Sequence, residues 1–284
     1  MNKYAETWLN IASEDLASSK ILYTNENYSQ AIYLLQQCNE KLSKAILIQM
    51  GFIRTENESE KQRILRSILK VNLSEQDFGH RWHKKLITLL EDILKVSMSF
   101  ESISELVPKK PNEPLFFTNN FPDFKQRIDA AKKVNTNPDP SFDELAKTIE
   151  FCHLRLRESV DNERAFMKII SELKLPNVDP IIADVESLFG IRLKKSRKDK
   201  LKKALQDPGS ALKNSILYSQ IVTILAILSI YLVDHEEYAR YPSTKFKKKY
   251  DRSLAVVGLF NDLIALHDEI IVLMKNCSIT NAPT

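Results

Sequence analysis

Apolar residues recur every three or four positions along the start of the chain, which is the spacing of helices that bury one face. Residues 4–26 carry one such apolar stripe, and residues 28–50 carry a second. Asn27 is a residue type that caps helix starts, and Gly51 stands where glycine commonly ends helices. The pattern predicts an antiparallel pair of helices joined by a short connection.

Prolines break this pattern in the middle of the chain, between residues 99 and 209. Within this stretch, Ser141 and Glu144 have the spacing of a capping box and predict a helix that ends near residue 174. Asp179, which precedes a proline, predicts a shorter helix after it. We therefore expect a helical insertion here and not a disordered linker.

Three further helices are predicted on either side of the insertion, at residues 74–96, 210–233 and 245–275. The 18 residues from 216 to 233 carry no charge, which reaches the lower limit for a membrane span. Hydroxyl and amide side chains interrupt that stretch, and no other segment of the chain is similar. A buried helix of a bundle is therefore the preferred interpretation.

The glycine content narrows the fold class, because only 5 of the 284 residues are glycine. Turn-rich sheets and glycine-lined phosphate loops are disfavoured, and a helical fold is favoured. The 3 cysteines lie far apart, which fits neither a disulfide framework nor a zinc site. The first residues include acidic side chains and no apolar block of the secretory type, so we expect a folded, cytoplasmic protein.

Residues 8–47 carry closely spaced landmarks on the first two predicted helices. A Trp-Leu step and an Asp-Leu step lie on the first helix. The second helix has the form YxxAxxxxQQxxEKxxKAxL, whose named positions are Tyr28, Ala31, Gln36, Gln37, Glu40, Lys41, Lys44, Ala45 and Leu47. A tyrosine-containing Arg-Tyr-Pro segment follows much later and comprises Tyr238, Arg240, Tyr241 and Pro242. With His83, which opens a His-x-x-Leu element, these landmarks resemble HEPN domains, although Lys84 replaces an acidic residue of the family pattern.

The resemblance implies a fold, a ligand site and a biological setting. The expected fold is all-α, an HEPN-like antiparallel four-helix bundle interrupted by a helical insertion. Residues 1–98 and 210–278 would form the two halves of the bundle, and residues 99–209 the insertion. HEPN domains are associated with nucleotide or RNA binding, often as homodimers, in toxin–antitoxin and defence systems. The ligand-binding positions that the resemblance implies are Glu40, Lys44, His83, Tyr238, Arg240 and Tyr241.

The arginine and histidine spacing of the ribonucleases in this family is missing from the sequence. Those members carry an arginine, then four to six residues, then a histidine, which brings a cation and a proton donor or acceptor to the scissile phosphate. No arginine precedes any of the five histidines of the chain at that spacing. These histidines are His80, His83, His153, His235 and His267. His235 instead precedes Arg240, which leaves a degenerate enzyme built on that pair as a third hypothesis, behind binding and protein interaction.

Each candidate residue also has a simpler structural interpretation. Glu40 and Lys44 have the spacing of an ordinary surface ion pair on a helix. Arg240 could bind a phosphate, or it could cap the carbonyl groups at the end of the apolar helix. His80 and His83 have the spacing of two metal ligands, but no third ligand is visible, so we predict neither a metal nor a cofactor.

The strongest charge feature is the basic segment, residues 192–203, which has eight cationic residues and one acid. Its cations are Arg192, Lys194, Lys195, Arg197, Lys198, Lys200, Lys202 and Lys203. Residues 245–249 add four lysines beside the Arg-Tyr-Pro segment. Such clusters bind nucleic acid by releasing counterions, whereas a solvated helix face or a site for an acidic protein is the alternative.

Two functional hypotheses rank ahead of the degenerate enzyme. The first is a nucleotide- or RNA-binding protein of a toxin–antitoxin or defence system, which lacks the usual HEPN ribonuclease motif. The second is a non-catalytic interaction module that pairs with a nucleotidyltransferase-fold antitoxin. A homodimer is expected under both hypotheses, and catalysis is left open.

Overall fold

A computed structural model describes residues 2–56, 88, 137–172, 179, 182–183, 186, 192, 194–196, 198–199, 202, 214–240 and 248–279 of the chain. The regular structure of these residues is helical, which confirms the predicted all-α class. Their helices are α1 (Lys3–Thr24), α2 (Tyr28–Met50), α3 (Phe142–Glu172), α4 (Ser215–Leu232), α5 (His235–Arg240), α6 (Ala255–Gly258) and α7 (Phe260–Ile279).

The predicted antiparallel pair of helices is α1 and α2. The side chain of Asn2 caps α1 by accepting a hydrogen bond from the Tyr4 N–H at 2.9 Å. Asn27 precedes α2, but its side chain makes no capping bond. Gly51 ends α2 with φ 82°, a left-handed conformation that glycine adopts without steric cost, as the sequence predicted.

The long helix α3 begins where the capping pattern predicted, because the Ser141 hydroxyl accepts a hydrogen bond from the Glu144 N–H at 3.1 Å. Its apolar side chains Leu145, Ile149, Cys152 and Leu156 belong to the same core cluster as those of α1, α2, α4 and α7. Residues of the predicted insertion thus pack inside the core. The boundaries of the three predicted segments remain a prediction.

The uncharged stretch forms α4, and every residue from 221 to 233 is buried. Its first turn takes an acceptor from α3, because the Glu163 carboxylate receives the N–H groups of Asn214 at 2.6 Å and of Leu217 at 3.3 Å. Across the part of the chain that the structure describes, no helix is long and apolar enough to cross a membrane. The preferred interpretation as a buried bundle helix is therefore confirmed.

The last predicted helix begins later than the sequence indicated. Residues 248–253 are not helical, because the Asp251 side chain accepts hydrogen bonds from the backbone and the hydroxyl of Ser253 and forms a local turn. The helices α6 and α7 follow that turn. The predicted helix at residues 74–96 lies outside the described residues except for Thr88, which is helical.

Helix α2 has a central position, since it contacts α1, α4, α5, α6 and α7. Helix α3 packs on α4, α6 and α7, and α1 packs on α7 as well as on α2. The core fills the space between these helices. One end of α2 meets α5 through Gln30 and Ala239, and residues 42–48 in the second half of α2 are all buried.

Candidate functional site

The second half of α2 carries a largely buried ion pair between Glu40 and Lys44. Lys44 Nζ lies 2.7 Å from Glu40 Oε1, and only 10% and 13% of the two side chains are exposed. The same ammonium lies 4.8 Å from the centre of the Trp8 ring on α1, which adds a cation–π contact. The pair is therefore not the solvated surface pair that its spacing alone suggests.

A second ion pair joins α1 to α2 one turn away. Lys41 pairs with Asp15, which belongs to the Asp-Leu step of the first helix, and both side chains are mostly buried. The acidic and basic positions of the matched sequence pattern therefore bind each other. In the described structure, their visible role is to hold the first two helices together.

Three polar side chains of α2, Gln36, Asn39 and Ser43, are fully buried on the face toward the core. Asn39 donates a hydrogen bond to the Leu225 carbonyl of α4 at 3.1 Å, and its Oδ1 lies 3.1 Å from His267 Nε2 of α7. Sequence reasoning did not single out Asn39 or His267. The available signal was the spacing of three and four residues that places these polar positions on an otherwise apolar stripe.

Helix α5, which carries Tyr238 and Arg240 of the Arg-Tyr-Pro segment, lies against the start of α2. The Gln30 amide donates a hydrogen bond to the Ala239 carbonyl of α5 at 3.5 Å, and Tyr238 is partly exposed. Gln30 and Glu40 are ten residues apart on one helix, which corresponds to a rise of about 15 Å. The structure thus places Tyr238 and the Glu40–Lys44 pair at different levels of α2.

His235 anchors the first residue of α5 in the core and is fully buried. Its Nδ1 lies 2.6 Å from the Tyr250 hydroxyl, and the two rings meet edge to face. Burial lowers the pKa of His235 to about 4, against smaller opposing effects of the Pro138 carbonyl and the Asp139 charge. The third hypothesis needs this ring at a substrate, and its position inside the core argues against that role.

A cation and a tyrosine side chain meet at the start of α2. Arg252 is exposed, and its Nε donates a hydrogen bond to the Tyr28 hydroxyl at 3.3 Å. Lys248 is exposed and pairs with Asp139 at 2.6 Å. Arg240 is the last residue of α5. Of the other predicted ligand positions, Tyr241 and His83 lie outside the described residues, as does His80.

The basic segment is partly neutralised by its own surroundings. Lys198 pairs with Glu186 at 2.7 Å, and Lys202 pairs with Asp179 at 2.9 Å. Three other cations are exposed, namely Arg192, Lys194 and Lys195. The remaining three, Arg197, Lys200 and Lys203, lie outside the described residues. The exposed cations are the ones that a phosphate backbone could reach without breaking a described ion pair.

A metal centre is not visible in the described part of the chain. None of its histidine, cysteine, aspartate and glutamate side chains form a group of three or more that could hold a metal ion. Cys38, Cys152 and Cys277 form no disulfide with one another, and burial raises the pKa of Cys38 well above its usual value.

Helices α1 and α2 are joined by the mostly buried Asp15–Lys41 pair, and the short helix α5 docks against the start of α2, so the described residues form an all-α bundle. The family model described as HEPN domain matches residues 5–97. A protein of Methanocaldococcus jannaschii named "Putative toxin MJ1304" is 31% identical over 116 residues, a match that covers 40% of this chain and 67% of that protein. The chain belongs to the HEPN domain family, which confirms the resemblance. No solved structure matches the chain.

Proposed function

We propose that the chain is the toxin-type member of a toxin–antitoxin or defence pair, and that it binds a nucleotide or RNA at the α5 surface. The α5 surface is defined as Tyr238 and Arg240 of α5 together with Tyr28 and Arg252 at the start of α2, and Tyr241 is assigned to it by the family pattern. Membership of the HEPN family and the name of the archaeal relative support the setting. The observation that carries the proposal is the docking of α5 against the start of α2, where cations and partly exposed tyrosines collect.

The chemistry of this surface suits a phosphate-bearing ligand. An arginine guanidinium binds phosphate with two parallel hydrogen bonds, and tyrosine rings offer faces on which bases stack. Glu40 and Lys44 are largely buried, so we assign them the role of stabilising α2, on which the α5 surface rests. His83 is assigned to the site by the family pattern.

Ligand binding at the α5 surface is tested with Arg240→Ala, using labelled single-stranded RNA and labelled ATP as probes. Loss of a charge-assisted contact is expected to weaken binding about tenfold. The matched control is Arg54→Ala, an exposed arginine beyond the opposite end of α2, which should bind as the parent does. Equal affinities of the parent and Arg240→Ala for both probes would reject the assignment.

The basic segment is a separate, electrostatic part of the proposal. Lys195→Glu alters an exposed lysine, and Lys275→Glu on α7 is the matched control with the same change of charge. If RNA lies along the basic segment, Lys195→Glu weakens RNA binding. It also reduces the slope of the logarithm of the binding constant against the logarithm of the salt concentration by about one. The same salt slope in both variants would place the RNA elsewhere.

The second candidate function is a non-catalytic module that docks a nucleotidyltransferase-fold partner. The absence of the arginine-to-histidine ribonuclease spacing from the sequence favours it. Co-expression with a candidate partner of that fold, followed by a nuclease assay on the purified chain, separates the two functions. A stoichiometric complex without bound RNA and without cleavage supports the module. Light scattering on the same samples tests the proposed homodimer.

A further inference from the structure

A row of three polar contacts crosses the core between α2, α4 and α7. His267 Nδ1 lies 2.7 Å from the Leu263 carbonyl oxygen, and His267 Nε2 lies 3.1 Å from Asn39 Oδ1. The amide nitrogen of Asn39 lies 3.1 Å from the Leu225 carbonyl oxygen. Asn39 and His267 are both 0% exposed. The row therefore has a carbonyl oxygen at each end and no contact with solvent.

The hydrogens available to this row can be counted. Carbonyl oxygens only accept, so the three contacts need three hydrogens between them. The Asn39 amide offers its N–H to one neighbour and its oxygen to the other, and a neutral imidazole carries a single N–H. Two hydrogens therefore serve three contacts, whichever tautomer the ring adopts and whichever way the amide is turned. An imidazolium ring with two N–H groups supplies the third.

We propose that His267 and Asn39 form a proton-binding joint, in which a proton taken up by the His267 ring completes the row and fastens α7 to α2 and α4. The proposal goes beyond ligand binding at the α5 surface, because it concerns how the helices of the bundle are held. Asn39 lies directly before Glu40, so the joint acts on the helix that carries the matched sequence pattern.

The charge on each neighbouring helix affects how readily the joint binds a proton. Helix α4 carries no charge from residue 215 to residue 232, and α6 carries none. The ion pairs of the other helices include Lys20 with Asp268, Lys41 with Asp15, Lys44 with Glu40, and His153 with Glu269. Burial lowers the pKa of His267 to about 4, whereas the Leu263 carbonyl and the Asp268 charge oppose that effect. The cost of burying a charged ring therefore opposes protonation of His267, and the additional hydrogen bond of the protonated ring favours it.

His235 provides an internal control, because burial also lowers its pKa to about 4. A neutral His235 ring suits its contact with Tyr250, since Nδ1 can accept a hydrogen bond from the Tyr250 hydroxyl. Protonation would turn Nδ1 into a donor and leave the Tyr250 O–H to find another acceptor. Burial alone predicts equal titration of the two rings, and the hydrogen count predicts that His267 titrates at the higher pH.

The test is an NMR titration of both histidine rings in the intact chain. His267 is expected to titrate above His235 by about half a pH unit or more, the size of shift that one net hydrogen bond gives. In Asn39→Ala the acceptor is gone, and the His267 midpoint should fall toward that of His235. The matched control is Ser43→Ala on the same buried face of α2, which should leave both midpoints in place. Equal midpoints in the parent chain, or an earlier titration of His235, overturn the proposal.

A second measurement follows the folding equilibrium in place of the ring signals. The ratio of folded to unfolded protein is measured by urea denaturation between about pH 7.5 and about pH 4, because the stabilities of the parent and Asn39→Ala diverge only as the pH approaches the lowered midpoint of His267. The proposal requires the advantage of the parent chain over Asn39→Ala to grow as the pH falls, because a higher pKa of His267 in the folded parent makes it lose less stability to acid than the variant loses. A difference between the two chains that does not change with pH overturns it.

Discussion

The two halves of α2 carry residues of the same matched sequence pattern but stand in opposite surroundings. At the start of the helix, Tyr28 and Gln30 are partly or fully exposed and lie beside α5 and Arg252. In the second half, Glu40 and Lys44 are largely buried and bind each other. A match to a family pattern therefore does not say which positions meet a ligand. Burial separates the residues that hold the bundle together from those that can face a partner molecule.

The largest expected effect is the loss of stability in Lys44→Ala. Removing one member of a largely buried pair leaves the other carboxylate poorly solvated, which costs about 3 kcal/mol or more. Urea denaturation of the purified variant measures the change in free energy of unfolding.

The matched control for that variant is Lys147→Ala on α3. The Lys147–Asp143 pair has the same spacing and the same distance of 2.7 Å, but its side chains are 72% and 75% exposed, against 10% and 13% for the Lys44–Glu40 pair. Its loss should leave the stability unchanged within error. Similar losses of stability in the two variants would remove the contrast between the halves of α2.

Lowering the pH tests both halves of α2 at once, since a buried histidine lies near each half, His235 near the start and His267 beside Asn39. The pKa values of His235 and His267 are both lowered to about 4 from 6.5. Between those values the unfolded chain binds protons more readily than the folded chain, so stability is complete above about pH 6.5 and falls toward pH 4. The loss is at most about 3 kcal/mol for each ring, and less for His267 if the proton-binding joint exists. A free energy of unfolding that is constant from about pH 7 to about pH 5 would contradict this expectation.

An intermediate effect is expected from Tyr250→Phe at the α5 end. The change removes the hydroxyl that lies 2.6 Å from His235 Nδ1 and leaves a buried nitrogen without that donor. The expected loss of stability is about 1–2 kcal/mol, and RNA or ATP binding should weaken with it because α5 is less firmly held. Thermal unfolding and probe binding, measured on the same samples, check the two effects. Unchanged stability would show that His235 does not depend on this tyrosine.

The smallest effect is expected from Gln30→Ala. The amide is exposed, and its contact with the Ala239 carbonyl is long at 3.5 Å. Its removal should change the free energy of unfolding by less than about 0.5 kcal/mol, with a smaller loss of affinity than Arg240→Ala shows. A destabilisation comparable to that of Lys44→Ala would mean that the start of α2 is as structurally essential as its second half.

Local chemistry made much of the fold predictable from the sequence. The α1–α2 pair, the left-handed Gly51 and the start of α3 at Ser141 all depend on residues within a few positions of one another. The predicted last helix is absent from residues 248–253, because the turn at Asp251 and Ser253 competes with a helix there. Such competition is not visible in the spacing of apolar residues.

The buried polar contacts were beyond the reach of sequence patterns. Asn39 and His267 are 228 positions apart, and each lies on a stripe that spacing alone assigns to an apolar core. The burial of the Glu40–Lys44 pair depends in the same way on its surroundings, since the pair contacts Trp8 from another helix. The family pattern identified Glu40 and Lys44 on α2, and only the packing of the bundle shows what these two side chains contact.

The carboxylate of Glu163 at the start of α4 has a consequence for the order of folding. The first N–H groups of a helix have no acceptor within that helix, and here the acceptor comes from α3, 51 residues earlier for Asn214. During synthesis α3 leaves the ribosome before α4, so the acceptor exists when the uncharged helix emerges. The segment predicted as an insertion therefore takes part in forming the bundle itself. The first turn of α4 is completed only when α3 is already in place.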